Sequence, residues 1–299
     1  MNELRNKTVL ITGASGFIGT SLSKFLVKNG NKVYSLGRTP GKYCTEFISA
    51  DISDDLVGKI PKVDLVFHLA AITDMQVVRE NPKKVFDVNV VGTINLLKAI
   101  SNMNINKFIY FSSVAVYGNT SIIPTPENCK FRPLEFYGYT KYASEFLVEN
   151  FCSSASINYI ILRSYNAYGP NQRENLVLPY MLNSALNGKI TVRNGDNTRD
   201  FIFINDLVNA IIKSSQLEGN YIFNIGTGVE VSLNNLAREI SRQVPNEVEI
   251  INSPVSDRPS VFNVSRGAAD ISSIIKETGW RPEYDIKKGI KALIGNKVY

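Results

Sequence analysis

The chain has 299 residues, of which 33 are lysine or arginine, 27 are aspartate or glutamate and 44% are hydrophobic. These proportions are typical of a folded globular protein and exclude a disordered or fibrous chain. The net charge of +6 is spread without blocks of like charge, so we expect no nucleic-acid partner. One histidine and three cysteines without CxxC spacing indicate neither a zinc site nor a disulfide framework, and we expect no metal site.

The hydropathy pattern bears on localisation. No apolar stretch reaches the roughly 18 residues that a membrane span requires, so we expect no membrane partner. The N-terminal residues run directly into a strand pattern, which argues against an export signal. Cysteines in an odd number without paired spacing suit a reducing compartment. We therefore predict a cytoplasmic protein.

Apolar runs and helical patterns alternate in the first part of the chain. The predicted strands are 7–12, 33–36, 64–69, 107–112 and 158–163, and the predicted helices are 17–28, 82–103 and about 137–151. Near-continuous apolar strands separated by helices predict an α/β fold, with a doubly wound parallel sheet covered on both faces. Ligands bind such sheets beyond the carboxyl ends of the strands.

A glycine-rich turn joins the first strand to the first helix, with the sequence Gly13-Ala14-Ser15-Gly16-Phe17-Ile18-Gly19. Glycines at such a turn let the backbone approach a pyrophosphate, and the helix N-terminus stabilises its charge. A tight turn alone would use similar residues, but the position at the start of a βαβ unit favours dinucleotide binding. The predicted cofactor-binding residues of this turn are Gly13, Ser15, Gly16, Phe17, Ile18 and Gly19.

This turn makes the predicted sheet Rossmann-like. After residue 163 the predicted elements become shorter and richer in Gly, Asn and Pro. We therefore predict a dinucleotide-binding domain in 1–165, to which some later segments return, and a smaller C-terminal α/β substrate lobe in 166–299.

Tyr137 and Lys141 lie four residues apart and so share one face of the predicted helix. A phenol has a reference pKa of about 10, and a neighbouring ammonium lowers it by favouring the phenolate. A surface Tyr/Lys pair would have the same spacing. The context that favours catalysis is Ser112-Ser113, which places hydroxyls at the carboxyl end of the strand 107–112.

Eight motifs, in this order along nearly the whole chain, resemble the extended short-chain dehydrogenase/reductase family. The resemblance is to its NAD(P)-dependent epimerase/dehydratase branch, which acts on nucleotide sugars. The motifs that carry it are 12–19, 68–71, 89–93, 112–118, 137–141, 163–170, 199–201 and 224–228.

The resemblance implies a catalytic set of Ser113, Tyr137 and Lys141. Ser113 would polarise a sugar oxygen, Tyr137 would move its proton, and Lys141 would hold the cofactor ribose and lower the Tyr137 pKa. His68 would be structural. The further cofactor-binding residues that the resemblance implies are Asp51 and Ile52 at the adenine and Leu69, Ala70 and Ala71 along the dinucleotide.

The same resemblance implies a nucleotide-diphospho-sugar as the substrate. Asn166, Arg199 and Arg258 match positions that hold the substrate diphosphate, a group suited to charge-assisted bonds from arginine. Ser260-Val261 stands where the family usually has an acid shortly after this last arginine. The other candidate substrate-binding positions are Thr73, Val114 and Asn175, with Asp74 and Tyr165 beside them.

The residues after the second strand bear on the cofactor. NAD-using members of the family carry an acid there, whereas this chain has Gly37-Arg38. Gly37 leaves room for a 2′-phosphate, and Arg38, with Lys42, can neutralise it. We therefore predict a preference for NADP(H), with NAD(H) as the alternative if Arg38 only stacks on adenine.

The hydroxyl at 113 is followed by Val114-Ala115, whereas the 4,6-dehydratase members have an Asp-Glu pair there. Dehydration therefore lacks its acid and base. The predicted function is a 4-ketoreductase that uses NADP(H), with Tyr137 as the proton donor. The alternatives are a 4-epimerase of the UDP-hexose type with retained NAD, and a non-catalytic NAD(P)-binding regulatory protein.

The resemblance also implies a homodimer. Its interface would use two helices of each subunit, at 82–103 and 137–151.

Overall fold

The computed structural model of the chain describes residues 4–253 and 264–297. The chain divides into two compact units. The first comprises Met1–Gly118, Phe131–Arg163 and Val208–Phe223. The second comprises Asn119–Lys130, Ser164–Leu207 and Asn224–Tyr299.

Both units contain strands and helices. The strands, in chain order, are β1 (Thr8–Thr12), β2 (Lys32–Gly37), β3 (Glu46–Ser49), β4 (Leu65–His68), β5 (Lys107–Ser113), β6 (Asn158–Ser164), β7 (Asn166–Tyr168), β8 (Lys189–Arg193), β9 (Thr198–Arg199), β10 (Phe201–Phe203), β11 (Tyr221–Ile225), β12 (Val231–Ser232) and β13 (Glu249–Ser253). The helices are α1 (Phe17–Lys28), α2 (Met75–Glu80), α3 (Pro82–Phe86), α4 (Gly92–Ile100), α5 (Phe136–Ser154), α6 (Val177–Leu186), α7 (Ile204–Ser215), α8 (Leu233–Gln243), α9 (Ser272–Thr278) and α10 (Ile286–Lys297). A π-helical turn spans Asp87–Val91, and a 3-10 turn spans Val114–Val116.

Seven strands form one sheet in the order β11-β6-β5-β4-β1-β2-β3. The strands β1 to β5 pair in parallel, and Thr12 at the end of β1 lies opposite His68 at the end of β4. Both strands are buried along nearly their whole length, which explains their apolar sequences. The strand order reverses between β1 and β4, and ligands bind at such a switch point. The predicted Rossmann-like, doubly wound α/β fold is confirmed.

The helical segment that precedes β5 differs from the uninterrupted helix predicted over 82–103. It begins at Asn81, whose side chain accepts the Lys84 N–H at 3.1 Å, and Pro82 occupies the first turn. The π-helical turn interrupts it and includes the buried side chain of Asn89. The segment ends with α4 at Ile100.

The second unit contains short strands that pair two by two. β7 pairs with β10 and β8 with β13 in parallel, and β9 pairs with β12 antiparallel. Trp280 is fully buried, and its indole N–H donates to the Asp206 carbonyl at 3.2 Å. The Asp206 carboxylate accepts the Tyr284 N–H at 2.9 Å, which fixes the chain ahead of α10.

A membrane-crossing helix would have to be both long and strongly apolar. None of the helices within residues 4–253 and 264–297 has that combination.

Candidate active site

The glycine-rich turn fits tightly against neighbouring backbone at two of its three glycines. Gly13 has φ +73°, and a Cβ there would lie 2.8 Å from the Ala70 nitrogen. A Cβ on Gly19 would overlap the Gly13 carbonyl oxygen. Gly16 is different, because a Cβ there would come within 4 Å only of the Gly13 oxygen, at 3.2 Å. Packing within the protein therefore explains Gly13 and Gly19, whereas Gly16 leaves space for a ligand.

The N-terminus of α1 has the features of an anion site. Gly16 is its N-cap, no side chain caps it, and its first turn contains no acidic residue. Ser15 is exposed beside it, with its hydroxyl 3.2 Å from the Thr39 hydroxyl. Backbone N–H groups at such an end bind phosphate. The residues present therefore fit the pyrophosphate of a nicotinamide dinucleotide.

Arg38 and Asp51 lie together beyond β2, with the guanidinium Nε 3.8 Å from a carboxylate oxygen. The Arg38 side chain is 70% exposed. The Ser53 N–H, with help from its hydroxyl and Arg38, holds the pKa of Asp51 below its usual value. Ile52 is buried and would contact a Cβ at Gly92, so its side chain belongs to the core.

His68 is a neutral core residue. Its Nδ1 lies 2.7 Å from the Thr12 hydroxyl, and its Nε2 lies 2.9 Å from the Thr93 hydroxyl. Thr93 donates to the Asn89 carbonyl, so it accepts from His68, and Thr12 donates to the other ring nitrogen. Burial, with the nearby Lys141 charge, lowers the pKa of His68 to about 3.

This chain of bonds supports the loop after β4 that contains Leu69, Ala70 and Ala71. The Ala70 N–H donates to the Thr12 hydroxyl at 3.2 Å. Asn89 holds the next residue through both of its amide atoms, accepting the Ile72 N–H at 2.7 Å and donating to the Ile72 carbonyl at 3.1 Å. The loop that is predicted to line the cofactor is therefore fixed from two sides.

Asn89 also connects this loop to the helix that carries Tyr137. Its amide donates to the Thr140 hydroxyl at 3.1 Å, and Thr140 donates to the Tyr137 carbonyl at 2.7 Å. The hydroxyl of Ser144, one turn further along α5, donates to the Asn89 carbonyl at 2.9 Å. The π-helical turn thus sets the position of α5 beneath the loop.

Ser113, Tyr137 and Lys141 are brought together where β5 ends and α5 begins. Burial raises the pKa of Tyr137 to about 12, and hydrogen bonding with Ser113 opposes that rise. The net shift of the Tyr137 pKa is thus upward, opposite to the lowering that the resemblance implies. The phenol is protonated at neutral pH, which is the form that donates a proton.

Lys141 is 3% exposed, and its ammonium donates to the Phe111 carbonyl at 2.7 Å. Its Nζ lies 4.9 Å from the centre of the Tyr110 ring. Burial lowers the pKa of Lys141 to about 7, with the Glu145 charge opposing. The side chain therefore exchanges its proton near neutral pH.

The turn after Ser113 approaches α5 closely. A Cβ on Gly138 would crowd the Ala115 carbonyl oxygen, so only glycine fits at this position of the helix. Val114, a candidate substrate contact, is half-buried in this turn. Thr73 is exposed, and Asp74 caps α2 by accepting the Gln76 N–H at 2.9 Å.

Two buried charged residues of this region, Glu145 and Arg163, were assigned no site role from the sequence. Glu145 follows Lys141 by four residues, so it extends the face that carries Tyr137 and Lys141. Arg163 directly follows the apolar run 160–162 of β6. Two signals in the sequence could have pointed to this pair. Glu145 is a charged residue at the next position of the α5 face, and Arg163 is a charged residue in a core strand.

In the second unit Asn166 lies beside the backbone of Asp200, the residue that follows Arg199. The backbone N–H and the side-chain amide of Asn166 both donate to the Asp200 carbonyl at 3.0 Å. The Arg199 guanidinium donates to the Thr198 carbonyl at 2.7 Å, and burial lowers the pKa of this arginine. Two of the three predicted diphosphate-binding residues are thus neighbours.

The structure gives little support for a binding role at the other two candidate positions of this unit. Asn175 is exposed in the turn before α6. Arg258 lies outside the described residues.

The buried carboxylate of Asp200 explains two of the motifs. It accepts four hydrogen bonds, from the N–H and hydroxyl of Thr227 at 2.7 and 2.6 Å, from the Gly228 N–H at 2.9 Å and from the Ala269 N–H at 3.0 Å. A Cβ on Gly226 would overlap this carboxylate. The segments 199–201 and 224–228 therefore form one structural clamp that fixes the backbone beside Arg199.

Comparisons with known proteins bear on the family and the fold of the chain. The model of the NAD dependent epimerase/dehydratase family matches residues 9–226. UDP-glucose 4-epimerase of Mycolicibacterium smegmatis is 31% identical over 302 residues, which cover 94% of this chain and 95% of that protein.

Comparison with solved structures also finds proteins similar to this chain. The structure of UDP-glucose 4-epimerase from Thermotoga maritima, with UDP-glucose, superposes with a TM-score of 0.89 at 26% identity, covering 96% of this chain and 97% of that one. The structure of MoeE5 in complex with UDP-glucose and NAD gives 0.88 at 26% identity, covering 96% and 97%.

Proposed function

Because the chain belongs to the NAD-dependent epimerase/dehydratase family, we propose that it is a nucleotide-sugar 4-epimerase acting on UDP-hexose-type substrates. The observation that carries the proposal is the meeting of Ser113, Tyr137 and Lys141 at the carboxyl end of β5. These residues supply a hydroxyl, a protonated phenol and a titrating ammonium in the unit that holds the glycine-rich turn. The two UDP-glucose-bound neighbours support the choice of substrate class.

The division of work follows from the chemistry of each group. A bound nicotinamide would accept and return the hydride. Ser113 holds the sugar oxygen at C4, and Tyr137 gives a proton to that oxygen or takes it back. Lys141 holds the cofactor ribose, and its charge favours the phenolate whenever Tyr137 must act as the base. Asn166 and Arg199 are the second unit's candidate ligands for a diphosphate.

A second candidate, an NADP(H)-dependent 4-ketoreductase, is favoured by one observation. Gly37 ends β2 without a carboxylate, and Arg38 follows with an exposed side chain, an arrangement suited to a 2′-phosphate. Tyr137 would then donate its proton to a keto-sugar oxygen in every turnover. The third possibility, a regulatory protein without turnover, has less support because the three candidate catalytic side chains are all present.

One measurement separates these candidates. Freshly purified protein is denatured, the released dinucleotide is identified by mass spectrometry, and the protein is assayed for UDP-glucose and UDP-galactose interconversion. Retained NAD with interconversion supports the epimerase. An empty site that binds NADPH more tightly than NADH, without interconversion, supports the ketoreductase. An intact cofactor site without turnover on any UDP-, dTDP- or GDP-linked hexose or ketohexose would contradict both.

The same unit has a surface suited to a second copy of the chain. Large apolar side chains are exposed on its helices: Phe86, Ile94, Tyr139, Tyr142 and Phe146. Phe146 is the most exposed of them, at 63%. Exposed apolar patches mark association sites. The proposed homodimer would bury this face, with α3 to α5 of each subunit at the interface.

A further inference from the structure

We propose that Glu145, with Arg163 as its counter-ion, is a positioning residue that fixes the Ser113–Val116 segment against α5. The inference deepens the proposed function, because that segment begins with the candidate catalytic serine. It rests on contacts within the first unit, where both charged side chains are about 1% exposed.

The first step is the spacing along α5. Tyr137, Lys141 and Glu145 follow one another at intervals of four residues and so lie on one helix face. Two of them bond consecutive residues at the end of β5: Lys141 donates to the Phe111 carbonyl at 2.7 Å, and Glu145 accepts the hydroxyl of Ser112. Tyr137 precedes them by one turn and lies near Ser113, which opposes the rise of the Tyr137 pKa. Glu145 therefore makes a second direct hydrogen bond between the helix and the strand end.

The second step is the counter-ion. The Arg163 guanidinium donates to both Glu145 oxygens, with Nη2 to Oε2 at 2.8 Å and Nε to Oε1 at 3.1 Å. A buried carboxylate without such a partner would take up a proton or leave the site, because an unpaired buried charge is costly. Arg163 is thus the counter-ion that holds the Glu145 carboxylate where it accepts the Ser112 hydroxyl.

The third step is that the pair reaches both ends of the turn. Glu145 holds Ser112 immediately before the Ser113–Val116 segment, and Arg163 donates to the Tyr117 hydroxyl at 2.8 Å immediately after it. The guanidinium also lies 4.7 Å from the Phe131 ring centre, which restricts its orientation. The ion pair therefore clamps the segment that carries Ser113 and Val114 from both sides.

The test compares Glu145→Gln with wild-type protein. The glutamine keeps the size of the side chain but loses the charge that orients Arg163. We expect kcat to fall by about 10- to 100-fold while KM and dinucleotide affinity change little, because a small displacement of Ser113 affects the reacting geometry more than binding. A kcat equal to that of the wild type would overturn the proposal.

Two further variants keep the test decisive. Val148→Ala truncates a buried side chain on the same helix, and it should lower the melting temperature without lowering kcat. Ser112→Ala removes the strand-side hydroxyl while the ion pair stays intact, and it should reproduce part of the loss in kcat. Combined with Glu145→Gln it should add nothing further, because both changes break the same connection. Full additivity, or an equal kcat loss in Val148→Ala, would contradict a positioning role.

A second readout does not depend on turnover. Hydrogen exchange measured by mass spectrometry should show faster exchange in peptides covering 111–117 in Glu145→Gln and Ser112→Ala, and not in Val148→Ala. If the wild-type protein turns over no nucleotide sugar, the proposed function fails and the exchange data alone decide on Glu145. Unchanged exchange in both variants would overturn the positioning role, whatever the activity.

Discussion

Lys141 illustrates how burial changes the chemistry of one side chain. Its ammonium is held by a single backbone carbonyl in the described chain, and burial lowers its pKa to about 7. An exposed lysine titrates near pKa 10.4, so the folded protein releases this proton about three pH units earlier than the unfolded chain. The residue that is proposed to hold the ribose therefore also couples folding to pH.

The sign of this coupling gives the first prediction. Between pH 7 and 10 the unfolded chain binds the Lys141 proton and the folded chain does not, so this group makes stability rise with pH, by at most about 1.4 kcal/mol per unit. Lys141→Met should flatten that dependence. Urea denaturation of both proteins at pH 7 and pH 9 measures the change in the free energy of unfolding between the two pH values. An equal change in the wild type and the variant would show that the lysine stays charged in the folded protein.

Tyr137 carries the proton in the proposed reaction, and Tyr137→Phe removes only the hydroxyl. We expect turnover to fall by about 10²- to 10⁴-fold, the usual contribution of a general acid or base, while dinucleotide binding stays near wild type. Tyr139→Phe is a matched control, since Tyr139 is 54% exposed on the same helix and should keep full activity. A fully active Tyr137→Phe variant would remove the phenol from the mechanism.

At the scale of elements, different glycines of the glycine-rich turn serve packing and ligand binding. Gly16→Ala should cost less stability than Gly19→Ala, because its Cβ would lie 3.2 Å from a single backbone oxygen, but it should weaken dinucleotide binding by obstructing the pyrophosphate. Gly19→Ala should instead lower stability, because its Cβ meets the Gly13 carbonyl. Thermal melts and dinucleotide titrations of both variants test this. Wild-type affinity in Gly16→Ala would place the pyrophosphate elsewhere.

The sequence predicted some elements better than others for physical reasons. α1 was predicted with its observed bounds, because a glycine-rich turn and Asn29-Gly30 delimit it and its apolar residues recur with helical period. β3 was missed because it is a short, exposed edge strand of only four residues. The short strands of the second unit carry too few residues to show a period.

Within the candidate site, too, the sequence predicted some residues and missed others. Tyr137 and Lys141 were identified because four-residue spacing is visible in one dimension. The ion pair between Glu145 and Arg163 was not identified from the sequence, because it joins a helix to a strand 18 residues away and depends on burial. The bonds that Asp200 makes with Thr227, Gly228 and Ala269 were missed for the same reason.

For the whole molecule, the main expectation concerns association. Phe146→Glu places a charge on the exposed apolar face of α5, where a dimer interface would have to desolvate it. We expect the variant to run as a monomer in size-exclusion chromatography with light scattering, while the wild type runs as a dimer. Phe47→Glu, on the exposed edge strand β3, is the matched control and should stay dimeric. A dimeric Phe146→Glu variant would place the interface on another surface.

His68 has a practical consequence. It is the one histidine in 299 residues, and both of its ring nitrogens are bonded beneath the loop that is predicted to line the cofactor. The imidazole region of a nitrogen-15 NMR spectrum of the untagged protein therefore contains the signals of a single ring. Because Thr12 bonds both that ring and the Ala70 N–H, a dinucleotide that shifts the loop also shifts those signals. The protein thus contains its own site-specific spectroscopic reporter of cofactor binding, which requires nitrogen-15 enrichment and no attached probe group.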